Sequence, residues 1–469
     1  MNPVLIGISI YVLAQLAIAL VIARRHMRGE SDYLLAGRRF GLGFATFTIF
    51  ATWFGAETCI GAAGQVYAGG LSDSTADPFG YAACIFIMGA VFAVPLWRRR
   101  YTTFADLFHQ RFSPGVERLA VLLLVPASIL WAAAQVRALG QILSSSSTLD
   151  VELAIALAAA VVVIYTVYGG LLANASTDLI QGIVVIVGLL VVLVVVVDAS
   201  GGVVTAASNV DPQRLRLFGA PDASPIEIIE RWAVPIFGSV LAQELVVVIL
   251  ASHTPEIARR ASYLAGSLYL VVGLIPVAIG LLGTTVLPGL EEAEQILPTI
   301  AQKYLSPVLY IVFVGAIVSA ILSTVSGALL AAGALTAHNL VVPLRPQLAG
   351  TGKVKIARIV VVIAGVAAFL LARHSGGVYE LVEEASAFGS AGVFIAAVFG
   401  LFSQFGGPRA AYAALIVGTG LWVSGHYVLD LTAPYVLSIT AALIAYVSVA
   451  LFENSMPNGG STLAGSDGT

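Results

Sequence analysis

Apolar stretches of about 20 residues recur along this chain from end to end, and that length dictates what the chain can fold into. A helix crosses the hydrocarbon core of a bilayer in about 20 residues, and only helices or closed barrels satisfy their backbone there. Thirteen such stretches can be marked, at roughly 3–23, 42–70, 78–97, 116–145, 151–170, 175–197, 231–251, 262–287, 307–340, 354–372, 378–403, 409–427 and 433–452. They are called spans 1 to 13 below. Composition agrees: 59% of the 469 residues are hydrophobic and 10% are charged, against roughly 25% charged in soluble chains. In water such a chain would expose apolar surface it has no means to cover.

The basic residues orient the spans. With the N-terminus outside, 17 of the 23 lysines and arginines fall on cytoplasmic flanks, among them Arg24, Arg25, Arg28, Arg98, Arg99, Arg100, Arg259 and Arg260. Five fall outside, and Arg137 lies within span 4. That asymmetry is what positive-inside topology requires. The expected protein sits in a plasma or bacterial inner membrane, with its C-terminus in the cytoplasm. Span 1 reads as a retained signal anchor, because no basic region precedes it and no cleavage site follows it. Cys59 and Cys84 lie in apolar segments and indicate no disulfide framework. The net charge of −3 excludes the concentrated basic patch that nucleic acid requires.

Two spans carry residues that break helices. Span 2 contains Ala51 to Glu57 with Gly55, and span 7 contains Pro235 and Gly238. Each opens a block of five spans, the layout of an inverted repeat whose broken helices bind solute at mid-membrane. Glycine and proline are also common as packing residues in membrane helices, so spacing alone leaves both readings open.

Ionisable groups inside a membrane are costly and therefore candidates for function. They are Glu57, Arg137, Asp178 and Glu244, with Glu383 and Glu384 near the start of span 11. Asp178 fits either a helix N-cap or an outlet for a cation. Arg137 needs an anionic partner; Glu57 and Glu244 are of the right type, and the alternative is an anionic group on a solute. In span 9 the hydroxyls of Ser323 and Thr324, with the Ala320 carbonyl one turn back, present oxygens suited to a hard cation. Paired hydroxyls also back-bond to their own helix. Trp53, Tyr81 and Trp131 offer ring faces for an ammonium group, or fill space as tryptophan often does in membranes.

Several motifs resemble one family. Asp32–Arg38, Tyr168–Leu171 followed by Asp178 and Gln181, Gln243–Glu244 followed by Ala251–Arg260, and Ser319–Thr324 are similar to stretches of the sodium/solute symporters. The resemblance implies an all-α polytopic protein with a LeuT-type 5+5 inverted-repeat core. The implied division is a leading helix and loop (1–41), a ten-helix transport core (42–403, repeats about 42–197 and 231–403), two trailing helices (404–453) and a disordered tail (454–469). It implies a sodium ion held by the carbonyls of Ala51 and Phe54 and by Ala320, Ser323 and Thr324, with Asp178 on the inward route. Within the family, Ala51–Trp53, Pro78–Tyr81, Trp131–Ala134 and Glu291–Pro298 resemble the high-affinity choline transporter branch. That branch implies an aromatic box for choline with walls at Trp53, Tyr81 and Trp131. Its fourth tryptophan falls at Ala242, so that wall is missing. Glu57, Arg137, Gln243 and Glu244 complete the candidate substrate set.

The expectation is a sodium-coupled symporter of a small organic solute, not an enzyme, with choline-like cations as one substrate class. Proline-like amino acids or carboxylates, a membrane sensor and a channel are the rivals. Chloride remains open as a further ion. Expected partners are the solute and the bilayer, with no nucleic acid and no obligate protein partner.

Overall fold

The computed structural model describes residues 35–147, 149–219, 223–348 and 351–455, and six isolated positions between Ile6 and Ala17. The side chains of 169–177, 180, 351, 454 and 455 are outside the described set. Span 1, the loop at Asp32–Leu34 and most of the tail expected to be disordered also fall outside it.

The described chain is a bundle of helices. Nine are long and apolar enough to cross a membrane: Ala76–Arg98, Pro114–Ser145, Val151–Tyr168, Gln181–Ala199, Pro255–Val286, Pro307–Leu344, Gly352–His374, Val378–Phe402 and Pro434–Glu453. A tenth is the bent pair Pro225–Gly238 and Gln243–Ala251, which meet at 40°. These ten coincide with spans 3 to 11 and 13. Val151–Ala199 is one continuous helix holding both span 5 and span 6, so Asp178 lies inside a helix and is not its N-cap; that role falls to Asp150. Span 2 is too short to pass as a single helix because it breaks after Trp53. Span 12 is the helix Pro408–Tyr427; its glycines, threonine, serine and histidine dilute its apolar content.

Local chemistry starts these helices where the sequence changes character. Ser113, Thr254 and Ser306 each accept an amide hydrogen bond from three residues on, and each is followed by proline at the first helical position. An N-cap oxygen satisfies an orphan amide there, and proline has none to lose. Ser224 and Glu227 form a reciprocal capping box in front of the bent pair.

Span 9 runs through the middle, with 78% of its apolar window buried, whereas Gln181–Ala199 buries 28% and turns the rest outward. Long branched residues serve the outward helices, because lipid tails are as apolar as the side chains. The central helix uses Gly315, Ala316, Ser319, Ala320 and Ser323, small residues that let neighbouring backbones approach.

The two ends of the bundle differ. At one end a backbone bridge joins the start of span 2 to the end of span 7. Phe40 donates to the Ala251 carbonyl at 3.1 Å, and His253 donates to the Phe40 carbonyl at 2.9 Å. Arg38 reinforces it by donating to the carbonyls of Leu250 (3.2 Å) and Tyr101 (2.6 Å). Trp97 Nε1 donates to Ser252 at 2.8 Å. We call this the clasp. At the other end lies a vestibule of about 570 Å³ between spans 2, 3, 7, 11, 12 and 13. The loop helix Ile296–Tyr304 packs on the bundle through buried Ile296, Leu297, Ile300 and Ala301.

Candidate functional site

Span 2 breaks at Phe54 and Gly55, where the sequence placed the interruption. The helix Leu42–Trp53 ends with Phe54 in a non-helical conformation, and a wide-turned segment, Glu57–Ala62, resumes the climb. Gly55 is required by close approach. A Cβ there would lie 2.6 Å from Gln135 Oε1, 2.9 Å from Thr324 Oγ1 and 3.0 Å from Glu57 Oε2. Side chains of spans 4, 9 and 2 therefore converge on this position, and a methyl group there would force them to shift.

Breaking a helix frees backbone groups that must find partners. Gln135 of span 4 serves one of them and also holds a side chain. Its Oε1 accepts the Ala56 amide at 2.9 Å and its Nε2 donates to Glu57 Oε2 at 2.6 Å. On the opposite flank, Thr324 Oγ1 reaches the carbonyl of Ala51 at 2.9 Å and that of its own-helix residue Ala320 at 3.2 Å. Back-bonding and a cross-helix contact are therefore both present. Ser323 Oγ donates to Asp178 Oδ1. Ala51, Phe54, Asp178, Ala320, Ser323 and Thr324 are all buried. The structure thus gathers five of them into one oxygen-lined junction of spans 2, 6 and 9, with Phe54 at the adjoining break. This donor set, hydroxyls with backbone carbonyls and a carboxylate, suits a hard monovalent cation.

The three aromatic residues come together on the far side of the break. Trp53 stacks on Tyr81 with centroids 5.1 Å apart. Trp131 meets Trp53 edge-on at 4.6 Å and Tyr81 at 6.0 Å. The rings touch one another, so in this conformation they enclose no solute. Tyr81 is tied by its hydroxyl to Ser386 at 3.0 Å, and Ser239 at the second break donates to the same Ser386 at 2.9 Å. The second break runs from Ser239 to Ala242. A cleft of about 40 Å³ opens there, lined by Trp131, Phe237, Phe388, Phe394, Ala242 and Glu244. It lies where the fourth wall of the choline-branch box would stand.

The remaining candidates are placed differently from one another. Gln243 Oε1 accepts the Phe104 amide at 2.8 Å, which fixes the turn before span 4, while its Nε2 has no partner. Glu244 borders the cleft with Oε1 unpartnered. Arg137 corrects an expectation: it pairs with neither Glu57 nor Glu244. Its guanidinium donates to the carbonyls of Ala372 and Gly376, both at 3.1 Å. Arg137 needed electron density, and free carbonyls at the end of span 10 supplied it without a carboxylate. Its charge is felt by Glu294 of the loop after span 8. Burial raises the carboxyl of Glu294 above the ordinary range, against the Val378 amide and the Arg137 charge, which lower it.

Two residues of the site escaped the sequence reading. Gln135 carried a signal, a lone amide in an apolar run. Asp77 sat one residue before span 3 and was passed over as loop, yet it is fully buried. The vestibule adds a third feature. Asp73, Glu230, Glu380, Glu383 and Glu384 line it, with only Arg231 and His426 as basic counterparts among the lining residues.

Comparison with known proteins identifies the family and the fold. Residues 33–418 match the model of the sodium:solute symporter family. High-affinity choline transporter 1 of Drosophila melanogaster is 28% identical over 80% of this chain, and the human protein is 30% identical over 74%. The matched region spans 63% of the length of each of those relatives. The sodium/pantothenate symporter of Escherichia coli is 26% identical, over 88% of this chain and 89% of its own. Among solved structures, a Na+-coupled sialic acid symporter superposes with a TM-score of 0.84 at 18% identity, covering 96% of this chain and 97% of its own. MhsT in complex with L-phenylalanine aligns with a TM-score of 0.56 at 16% identity, over 87% of this chain and 98% of its own. The all-helical architecture is therefore that of these carriers, and the chain belongs to the sodium:solute symporter family.

Proposed function

We propose that the protein imports a small organic cation of the choline type, driven by sodium, through alternating access. The observation that carries this reading is the junction at Gly55. There the oxygens of Ala51, Ala320, Ser323, Thr324 and Asp178 converge, one residue stretch away from the ring cluster of Trp53, Tyr81 and Trp131. A sodium ion bridging Ala51 and Thr324 would fix the first half of span 2 against span 9. The same break carries Trp53, so the ion would also set the position of one wall of the substrate box. Coupling arises because each ligand favours the conformation that the other needs.

Two further features support a cation over an anion. The vestibule is acidic, and like clefts of one sign raise the local concentration of the opposite charge. Arg137 directs its guanidinium to the carbonyls of Ala372 and Gly376, so it is not committed to an anionic group on the solute. The closed clasp and the open vestibule correspond to an outward-facing state. With thirteen spans and the N-terminus outside, the clasp faces the cytoplasm, where Arg38, Arg99 and Arg100 belong by the positive-inside rule. We extend the reading to a 5+5 inverted repeat bounded by the two breaks, and to a plasma or bacterial inner membrane.

The test is uptake into proteoliposomes of choline, betaine, proline and pantothenate, each with and without an inward sodium gradient. Concentrative uptake of choline only with sodium is the expected result. Preference for pantothenate or proline would overturn the choice of substrate but leave the coupling, and equal flux with and without sodium would overturn the coupling.

A further inference from the structure

Three buried hydroxyls connect the ring cluster to the second break. Tyr81 belongs to span 3, and Ser239 stands at the break in span 7. Ser386 lies in the last turn of the helix Val378–Ala387, the first part of span 11. All three side chains are buried. Ser386 Oγ donates its single proton to the Val382 carbonyl one turn back, at 2.9 Å. It accepts from Ser239 Oγ at 2.9 Å. With its own proton spent, it can only accept from the Tyr81 hydroxyl, 3.0 Å away. A hydroxyl has one proton and two lone pairs, so Ser386 is saturated. Serines in membrane helices commonly bond back to their own helix. Ser386 does so as well, but its two lone pairs are taken by two other spans.

This relay joins parts of the molecule that have to move. The rings of Trp53, Tyr81 and Trp131 touch one another, so a solute enters only if one of them yields. Tyr81 cannot turn away from Trp53 without drawing on its hydroxyl anchor. At the other end, Ser239 caps the wide-turned segment Val234–Gly238, where regular helix stops. Span 11 is itself interrupted just past Ser386. Phe388 is extended and Gly389 has φ +69°, and a Cβ on Gly389 would lie 2.9 Å from the Leu123 side chain. Ser386 thus stands at a helix end and can shift without bending a regular helix. The backbones of spans 7 and 11 are in contact here, because a Cβ on Gly238 would collide with the Ser386 carbonyl.

We propose that Ser386 is a positioning residue that transmits solute entry at the rings to the second break. When Tyr81 yields to a solute, its hydroxyl carries Ser386 and, through it, Ser239. Ser386 acts through these two residues and not on the solute. The inference rests on the choline-symport reading and deepens it by naming the link between the substrate box and the second half of span 7. Without that link the solute still parts the rings but no longer draws the second break in, so part of the binding energy is lost.

Binding of radiolabelled choline to the purified full chain in saturating sodium, in a double-mutant cycle of Tyr81→Phe and Ser386→Ala, tests the proposal. Each variant removes one oxygen and keeps the rest of the side chain. Each cuts the same link, so each should raise the choline dissociation constant about 10-fold, the size of one orphaned buried hydroxyl. The double variant should also stay at about 10-fold, where independent effects would multiply to about 100-fold. Half-saturating sodium, measured without choline, should shift by less than about 2-fold in all three, because the first break lies outside the relay. Multiplying effects overturn the proposal, as does a Tyr81→Phe variant that binds choline like wild type. A sodium shift as large as the choline shift also overturns it, since Ser386 would then support the fold at large. If Ser386→Ala does not purify as a monodisperse protein, Tyr81→Phe and Ser239→Ala cut the relay at its two ends and carry the same expectations. A wild type that binds no choline overturns the choice of substrate alone; the cycle is then read with whichever of betaine, proline or pantothenate the wild type takes up.

Discussion

The two broken helices solve the same backbone problem in different ways. At Phe54–Gly55 the freed backbone is engaged by polar side chains: Gln135 takes the Ala56 amide, and Thr324 reaches the Ala51 carbonyl. At Ser239–Ala242 the break faces a small cleft lined with aromatic rings, and Gln243 Nε2 and Glu244 Oε1 lack partners. The first break is closed around hydrogen-bonded oxygens, which fits the small ion proposed for it. The second keeps unpartnered polar atoms beside an apolar cleft. The difference implies an order: sodium binds a preformed junction, and substrate then fills the ring-lined space and draws the second break in. Preorganised sites bind first because little ordering remains to be done.

Altering the glycines should break the comparison most severely. Gly55→Ala places a methyl group on three polar atoms at 2.6 to 3.0 Å, and sodium-driven uptake should fall by ~100-fold or more, as expected for overpacking at a fixed site. Gly238→Ala collides with the Ser386 carbonyl at 2.2 Å; it should abolish uptake yet leave sodium binding intact. Loss of sodium binding in Gly238→Ala would mean that the two breaks are not separable.

Thr324→Ala comes next. It removes the hydroxyl shared by Ala51 and Ala320 and should raise the half-saturating sodium concentration about 10- to 100-fold, the size of one lost buried polar contact. Thr324→Ser should recover most of the affinity. Replacing Trp53 or Trp131 by leucine should weaken choline about 10-fold through lost ring contacts, with the sodium dependence shifted less. A larger shift in sodium than in choline would place those rings in the ion site. The smallest effect should come from Arg137→Gln. Its guanidinium holds carbonyls of Ala372 and Gly376, so choline affinity should change by about 2-fold or less, in the range of a partly exposed contact. A gain of about 10-fold would show that its charge opposes the substrate after all.

Much of this was legible in the chain. Apolar run length located the spans, and Gly55 with the residues before it located the first break. Adjacent hydroxyls at Ser323 and Thr324 marked the ion junction, because few residue types offer oxygen in an otherwise apolar helix. What stayed hidden depended on backbone and on distance. The charge of Arg137 points to carboxylates in sequence, because side chains are what a sequence displays, and its partners are carbonyls. Asp77 was hidden by a boundary error of one residue, enough to move a buried carboxyl into apparent solvent. The clasp joins Phe40 to Ser252, residues more than 200 positions apart with no motif to link them. Position alone leaves Asp178 between a helix cap and a cation outlet; helical backbone on both sides excludes the cap, and the Ser323 contact fits the proposed outlet.

The central claim is that a sodium ion at the first break prepares the second for substrate. Binding of radiolabelled choline to the purified protein, titrated with sodium at constant ionic strength, tests it directly. Wild type should bind choline only as sodium rises, and Thr324→Ala should reach the same capacity at a sodium concentration about 10- to 100-fold higher. Choline binding that is equally strong without sodium, or unmoved in Thr324→Ala, would contradict the account.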